Sequence, residues 1–158
     1  MNPALRLPIP SDYEALASWV PDKATCARWA GPLLRFPFSV DELPSLLAGP
    51  GATSFALVDA NASSELLGFA QLIEKGSGVL RFARIIISPR HRGGGLGRIL
   101  CQLLLAKASA SPGIEKFTLG VYRDNPAAIS LYSSLGFVEI SPSPRPEIIA
   151  MERSNSCG

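Results

Sequence analysis

A glycine-rich segment in the second half of the chain most strongly constrains how these 158 residues can fold. The run Ile85-Ile86-Ile87 is apolar and β-branched, which favours a buried strand. Residues 92–98 follow with the sequence Arg-Gly-Gly-Gly-Leu-Gly-Arg. Leucines then stand at positions 96, 100, 103 and 104, the spacing of one helix face. The pattern predicts a strand, a tight glycine turn and the N-terminus of a helix.

A turn of this kind is suited to binding a phosphate group. The first amide N–H groups of a helix have no internal partner, and the helix dipole makes that region positive. Glycines let the backbone approach an anion closely, and Arg92 and Arg98 bracket the turn with fixed charge. No Gly-Lys-Ser/Thr follows, which excludes a Walker A loop. Arg98 or Leu100 stands where a dinucleotide fingerprint needs its last glycine.

The composition predicts one folded domain, over residues 1–153, with a frayed tail over 154–158. The chain is 47% hydrophobic and 18% charged, a composition that excludes a disordered chain. Its net charge of +2 is too small to indicate a nucleic-acid-binding surface. Cys26, Cys101 and Cys157 are odd in number and lack metal-ligand spacing, so we expect no metal and a reducing cytoplasm. The sequence contains neither an apolar signal core nor a run of roughly eighteen apolar residues, which predicts no membrane partner.

Turn residues and hydrophobic periodicity divide the chain into strands and helices. Seven strands are predicted, over 5–9, 53–59, 66–74, 79–87, 117–121, 137–140 and 148–152. Helices are predicted after Ser11 or Asp12, over 22–29, after Ser39 or Asp41, from the glycine loop to about Ala110, and over 126–135. Antiparallel hairpins followed by a β-α-β unit predict a mixed sheet with helices on both faces.

Two segments resemble motifs of one superfamily. Arg92, Gly95 and Gly97 match the fixed positions of a Q/R-x-x-G-x-G/A element, and residues 125–137 match N-x-x-A-x-x-L-Y-x-x-L-G-F. The chain therefore resembles the GCN5-related N-acetyltransferase (GNAT) superfamily, most closely over residues 80–140. This resemblance implies an α/β (α+β) fold. Its central sheet would be mixed, mostly antiparallel and of about seven strands, flanked by helices and splayed between strands 4 and 5.

The resemblance also implies acetyl-CoA as co-substrate. The main chain of Ile85, Ile86 and Ile87 would pair with the pantetheine arm, with an N–H at Ile86 or Ile87 facing the thioester carbonyl. The pyrophosphate would lie beside Arg92, on the amides of Gly93, Gly94, Gly95, Leu96, Gly97 and Arg98. Asn125 would bond the pantetheine arm, cap the following helix, or do both. Tyr132 would protonate the departing thiolate.

The general base and the acceptor side are less defined. Some members carry a glutamate in the fifth strand where this chain has Gly120, which leaves Glu74 as the nearest carboxylate candidate. A base acting through water, or a poorly basic amine, fits equally well. Within residues 18–40, Trp29 and Phe36 would form apolar walls of the acceptor site. Arg28 or Arg35 would bind an acidic group of the acceptor.

The resulting functional hypothesis is an N-acetyltransferase that acts on the primary amine of a small molecule by direct attack. The enzyme would be a monomer or a homodimer. A protein or peptide N-acetyltransferase and a non-catalytic acyl-CoA-binding sensor are the alternatives. A nucleotide-binding regulator is disfavoured because the Walker lysine is absent.

Overall fold

Short strands and helices alternate along the chain in a computed structural model that describes residues 1–62 and 65–156. The strands are β1 (Pro3–Arg6), β2 (Ala52–Asp59), β3 (Leu66–Glu74), β4 (Val79–Ile87), β5 (Lys116–Tyr122), β6 (Val138–Ile140) and β7 (Ile148–Ser154). The helices are α1 (Pro10–Ser18), α2 (Lys23–Ala30), α3 (Leu43–Leu47), α4 (Leu96–Ser109) and α5 (Pro126–Ser134). Short 3-10 turns cover Val40–Glu42 and Pro89–His91.

All seven strands form one sheet in the order β1-β2-β3-β4-β5-β7-β6. Every neighbouring pair is antiparallel except β4 and β5, which are parallel and joined through α4. The mixed, mostly antiparallel sheet predicted from the sequence is therefore confirmed. Within the described residues, no helix combines the length and apolar character needed to cross a bilayer.

The first strand and the C-terminal tail differ most from the sequence-based expectation. The first strand covers Pro3–Arg6 instead of 5–9, because the chain leaves the sheet edge before Pro8 and Pro10, which have no N–H to donate. The expected tail is ordered at its start, because Ser154 pairs with Lys116 of β5 and the Asn155 N–H donates to the Glu115 carbonyl. Cys157 and Gly158 of that tail, and Ser63 and Ser64 of the expected turn, lie outside the described residues.

The sheet separates two apolar layers. On one face, α1, α2 and α3 bury Leu16, Leu43 and Phe69. On the other face, α4 and α5 pack over a larger layer that contains Leu104 and Phe117. The amphipathic spacing of α4 predicted its buried leucines, because positions three and four apart share one helix face.

Asp12 joins the edge strand to the first helix. Its carboxylate is 3% exposed and accepts two hydrogen bonds from the Arg6 guanidinium, at 2.6 and 3.1 Å. It also accepts the Ile9 main-chain N–H at 2.8 Å, an amide at the start of α1 that has no partner within the helix. One buried carboxylate thus satisfies both a cation and a helix terminus.

We predict that Asp12→Ala lowers the free energy of unfolding by about 2–3 kcal/mol, because a half-buried guanidinium and a helix amide lose a charged acceptor. Urea denaturation should show a lower midpoint with an unchanged slope. Asp41→Ala, which removes an exposed carboxylate, is the control and should leave the midpoint nearly unchanged. Equal effects of the two substitutions would contradict this role of Asp12.

Candidate functional site

A β-bulge interrupts β4 in the middle of the sheet. Ile86 pairs with Phe69 of β3, but Ala83 pairs with Gln71, so β4 carries one residue more than β3 across this interval. Within it, Arg84 has a positive φ of 51°, a left-handed conformation that is uncommon for a residue with a side chain. A bulge of this kind bends its strand and increases the local twist.

Hydrogen bonds from both neighbouring layers hold the bulge in place. The indole N–H of Trp29 in α2 donates to the Arg84 carbonyl at 2.8 Å. The Arg84 guanidinium donates through Nη1 to Oε1 of Gln71. Gln71 is fully buried, and its own amide donates to the Leu47 carbonyl at 2.7 Å and to Ser54 Oγ at 3.0 Å. The bulge is therefore tied to α2, α3 and β2.

The bulge lies where β4 separates from β5. The two strands pair only from Val79 to Arg81 of β4, opposite Lys116 to Thr118 of β5. Beyond that point a cavity of about 440 Å³ opens between them. Its walls include β4, the second half of β5, the end of α2 and the first turns of α5. The splay predicted between strands 4 and 5 is confirmed.

The main chain of β4 presents alternate residues to this gap. The Ser88 N–H donates to the Leu67 carbonyl at 2.8 Å, and hydrogen-bonding residues alternate along an antiparallel ladder. Ile86 therefore directs its main chain toward β3, whereas Ile87 directs its main chain toward β5. Of the two N–H groups expected to face the thioester, those of Ile86 and Ile87, only that of Ile87 is directed toward the gap.

The glycine loop forms the turn predicted between β4 and α4. Gly93 and Gly95 have positive φ values of 82° and 84°, and α4 begins at Leu96. Within the described part of the chain, none of the main-chain N–H groups of residues 93–98 donates a hydrogen bond. The loop therefore presents a row of unpaired donors beside the positive end of a helix.

The two flanking arginines are held by local contacts. Arg92 Nε donates to the Ile87 carbonyl at 3.2 Å. Arg98 Nη1 donates to Ser134 Oγ at 2.9 Å, which connects the first turn of α4 to the last turn of α5. Both side chains add positive charge close to the unpaired amides.

Tyr132 lines the cavity from α5 and is 9% exposed. Its ring packs edge-on against Phe137, with ring centroids 6.1 Å apart. Burial, followed by the proximity of Cys101, raises the pKa of the phenol well above its usual value. Tyr132 therefore stays protonated at physiological pH and can donate a proton into the cavity.

Asn125 also lines the cavity, at the start of α5. Its side-chain oxygen accepts the Ala128 N–H at 3.2 Å, which makes it the N-cap of the helix. The capping bond occupies only the oxygen. The NH₂ group donates to no other described residue, so it is available to a ligand.

The structure divides the residues expected on the acceptor side. Arg28 and Trp29 line the cavity, and Arg28 also pairs with Asp124 at 2.9 Å. Arg35 and Phe36 lie outside it. Arg35 is 75% exposed and pairs with Glu42, while Phe36 packs edge-on against Phe38 beside the layer formed by α1, α2 and α3.

Glu74, the expected base, also lies outside the cavity. Ile73 and Lys75 on either side of it line the cavity, and side chains alternate between the faces of a strand. Glu74 therefore points away from the site. Among the described residues, no Asp, Glu or His lines the cavity.

Sequence reasoning missed Arg81 and Arg84, which line the cavity from β4. Burial lowers the pKa of both guanidinium groups, and the charge of Arg81 lowers that of Arg84 further. A Cβ added at Gly120 of β5 would lie 3.2 Å from Arg81 Nη2, so the glycine leaves room for this cation. The sequence signal that could have identified these residues is the presence of two arginines in an otherwise apolar strand.

Comparison with known proteins identifies related sequences. A model described as the Acetyltransferase (GNAT) family matches residues 23–137. The chain is 37% identical over 81 residues to a spermidine N(1)-acetyltransferase of Vibrio cholerae, covering 50% of this chain and 46% of that protein. It is 34% identical over 92 residues to the uncharacterized N-acetyltransferase YobR of Bacillus subtilis, covering 58% and 35%. The matched stretches thus span less than half the length of either relative.

A solved structure agrees over almost the whole chain. The crystal structure of spermidine N-acetyltransferase from Vibrio cholerae in complex with CoA and spermine superposes with a TM-score of 0.79. The two proteins are 26% identical, and the match covers 98% of this chain and 96% of the other. The sheet, its splay and the flanking helices therefore belong to a known architecture.

We predict that Trp29→Phe destabilises the protein by about 1–3 kcal/mol, because the Arg84 carbonyl at the bulge loses its donor. Trp19→Phe is a matched control, since the Trp19 indole N–H donates to no described residue. The free energy of unfolding, measured with urea, should fall more for Trp29→Phe. A smaller loss for Trp29→Phe than for Trp19→Phe would contradict the proposed anchoring of the bulge.

Proposed function

Because the chain belongs to the GNAT acetyltransferase family, we propose that it transfers the acetyl group of acetyl-CoA to the amine of a small molecule. One observation carries the proposal. The unpaired edge of β4, the Asn125 amide and the buried Tyr132 phenol meet around one cavity at the splay. This arrangement offers hydrogen bonds to a thioester, a place for an incoming amine and a proton for the leaving group.

The glycine loop supports the binding of CoA. Six consecutive unpaired amides, over residues 93–98, match the acceptor oxygens of a pyrophosphate, with Arg92 and Arg98 beside them. Charge-assisted hydrogen bonds of this type contribute about 1.5–3 kcal/mol each. From the loop, the pantetheine arm would run along the gap and pair with the main chain of Ile85 and Ile87.

The reaction follows from the groups around the cavity. The amine nitrogen attacks the thioester carbon, and the carbonyl oxygen takes up negative charge. The main-chain N–H of Ile87 then stabilises that oxygen more strongly than it stabilises the ground state. The carbon–sulfur bond breaks, and Tyr132 donates its phenolic proton to the departing thiolate. The proton that the attacking nitrogen loses on becoming an amide passes through water to the Tyr132 phenolate and restores the phenol.

The cavity supplies positive charge in place of a base. An ammonium group with a pKa near the lysine value of roughly 10 is mostly protonated at neutral pH and cannot attack. Nearby cations lower the pKa of an ammonium group, and Lys75, Arg81 and Arg84 all line the cavity. The acceptor can therefore lose its proton to water without help from a carboxylate of the protein.

Cavity size supports a small acceptor. A volume of about 440 Å³ lies in the range typical of small-molecule pockets, and residues 31–33 form part of its rim. The relative from Vibrio cholerae is named for a small-molecule acceptor as well. Release of CoA thiol from acetyl-CoA, measured with small amines and with N-terminal peptides, tests the proposal. Turnover of peptides alone would contradict it, and acetyl-CoA binding without any turnover would favour a sensor.

We predict that Gly97→Glu abolishes acetyl-CoA binding in a folded protein. The added carboxylate would repel the pyrophosphate, whereas the new Cβ meets only ordinary contacts at 3.7 and 4.0 Å. Gly95 is a poorer test site, because its φ of 84° would strain any side chain. Isothermal titration should show no binding by Gly97→Glu. Gly49→Glu adds the same charge in open space, so it is the control and should bind normally.

We predict that Tyr132→Phe lowers kcat by on the order of 10²–10⁴-fold, with little change in the KM for acetyl-CoA. Tyr13→Phe is the control, because Tyr13 packs against Phe69 outside the cavity and should leave kcat unchanged. Normal turnover by Tyr132→Phe would contradict the assigned proton donor.

The raised pKa of Tyr132 also predicts the pH dependence of wild-type kcat. A phenol whose pKa lies above its usual value stays protonated throughout the range below about pH 10. Over that range, kcat should therefore rise or remain level as the acceptor amine loses its proton. A descending limb at neutral pH that Tyr132→Phe removes would contradict this assignment.

A further inference from the structure

The charged side chains that line the cavity in the described chain are all basic. Five basic residues line the cavity, and no acidic residue does so within the described chain: Arg28, Lys75, Arg81, Arg84 and Arg145. Two of the five are neutralised by carboxylates, Arg28 by Asp124 at 2.9 Å and Arg145 by Glu147 at 3.0 Å. The other three form no ion pair with any described residue.

Arg81 and Arg84 are the informative members of this set, because both are partly buried on β4. The Arg84 Nε atom is buried and has no hydrogen-bond acceptor, and its Nη1 contacts only the neutral amide of Gln71. Arg81 donates to no described residue. Two unpaired cations side by side in a low-dielectric wall disfavour folding unless a ligand supplies the opposite charge.

The shape of the wall indicates where that charge would lie. Gly120 faces Arg81 from β5, and its missing side chain leaves the guanidinium accessible in the cavity. A guanidinium group presents paired N–H donors that match the two oxygens of a carboxylate, or oxygens of a phosphate. The Arg84 Nε–H is itself buried, so what Arg84 adds to this wall is its positive charge.

We propose that the acceptor amine also carries an anionic group, a carboxylate or a phosphate, which binds to Arg81 and Arg84. This inference rests on the proposed acetyl transfer and defines its substrate class. One bound carboxylate, or one phosphate with its charge of about −1.5 to −2, neutralises only part of the three positive charges of Lys75, Arg81 and Arg84. The wall therefore remains positive toward the acceptor's ammonium group and still lowers its pKa.

Polyamines are disfavoured by the same charges. A polyamine would bring several positive charges to a wall whose described lining residues include no carboxylate. The relative named for spermidine and this chain would then share a fold and an acetyl donor, but this chain would accept an amine that also carries an anionic group.

A matched set of acceptors tests the proposal. For each amino acid tested, the panel contains the amino acid, its carboxamide and the corresponding amine without the carboxyl group. The panel also includes an aminoalkyl phosphate and spermidine. We expect kcat/KM for a carboxylate or phosphate acceptor to exceed that of its neutral counterpart by about 10- to 100-fold. The better of the two anions identifies the group. Equal or faster turnover of the carboxamides, or of spermidine, would overturn the inference and leave the proposed acetyl transfer intact.

Substitution of Arg81 tests the assigned contact. Arg81→Gln should lower kcat/KM for the anionic acceptor by about 10- to 100-fold, with little effect on the carboxamide or on the KM for acetyl-CoA. Arg81→Lys should restore part of the loss. Lys116→Gln removes the same charge from the paired start of β5, outside the cavity, and serves as the control. An equal loss toward charged and neutral acceptors in Arg81→Gln would overturn the assignment.

Thermal stability supplies a readout that does not depend on catalysis. Without ligand, Arg81→Gln should raise the melting temperature, because it removes an unpaired buried charge, whereas loss of a structural arginine would lower it. At least one of the chemically synthesised N-acetyl derivatives of the panel's amino acids and aminoalkyl phosphate should stabilise the wild type but not Arg81→Gln. If no amine is acetylated, the proposed function fails while this assay still detects the anion site. Absence of stabilisation in the wild type would overturn the inference itself.

Discussion

The bulge at Arg84 is the constraint on which the site depends. One extra residue in β4 shifts the register with β3 between Phe69 and Gln71, and pairing with β5 ends at Arg81. In a regular parallel pair the hydrogen bonds between β4 and β5 would continue and close the gap. Beyond Arg81, the β4 main chain has no described partner strand on the side of the cavity. The conformation of Arg84 is uncommon for a residue with a side chain, so the indole of Trp29 and the buried amide of Gln71 must hold it.

The same bulge determines the charge of the site. Side chains three residues apart on a regular strand point to opposite faces, so Arg81 and Arg84 would be separated by the sheet. The extra residue brings both to the cavity wall. The resulting concentration of positive charge disfavours folding. In the proposed reaction, the same charge would lower the pKa of the bound amine and favour an acceptor that also carries an anionic group. Departures of this kind from regular strand geometry are typical of functional sites.

Local motifs predicted the geometry of the glycine loop and of α5 better than they predicted which residues line the cavity near α2 and β4. Arg98, Asn125 and Tyr132 lie in continuous segments whose conformation follows from glycine turns, a proline in the first helical turn and helix periodicity. That part of the cavity lining is assembled from α2, β4, β5 and the loop before β7, which are distant in sequence. Phe36 and Glu74 were plausible by residue type alone. Neither lines the cavity, because burial against another layer and alternation along a strand direct them elsewhere.

The sequence by itself determined the order of strands and helices, the glycine turn, the capped α5 and the family resemblance, because each depends on neighbours within one or two helical turns. Only the tertiary structure decided which β4 amides face the gap, that Arg28 is paired with Asp124, and that Arg81 and Arg84 share one wall. Those features depend on register. A single inserted residue reverses the face of every later side chain in a strand, and nothing in the local pattern of β4 marks where the insertion falls.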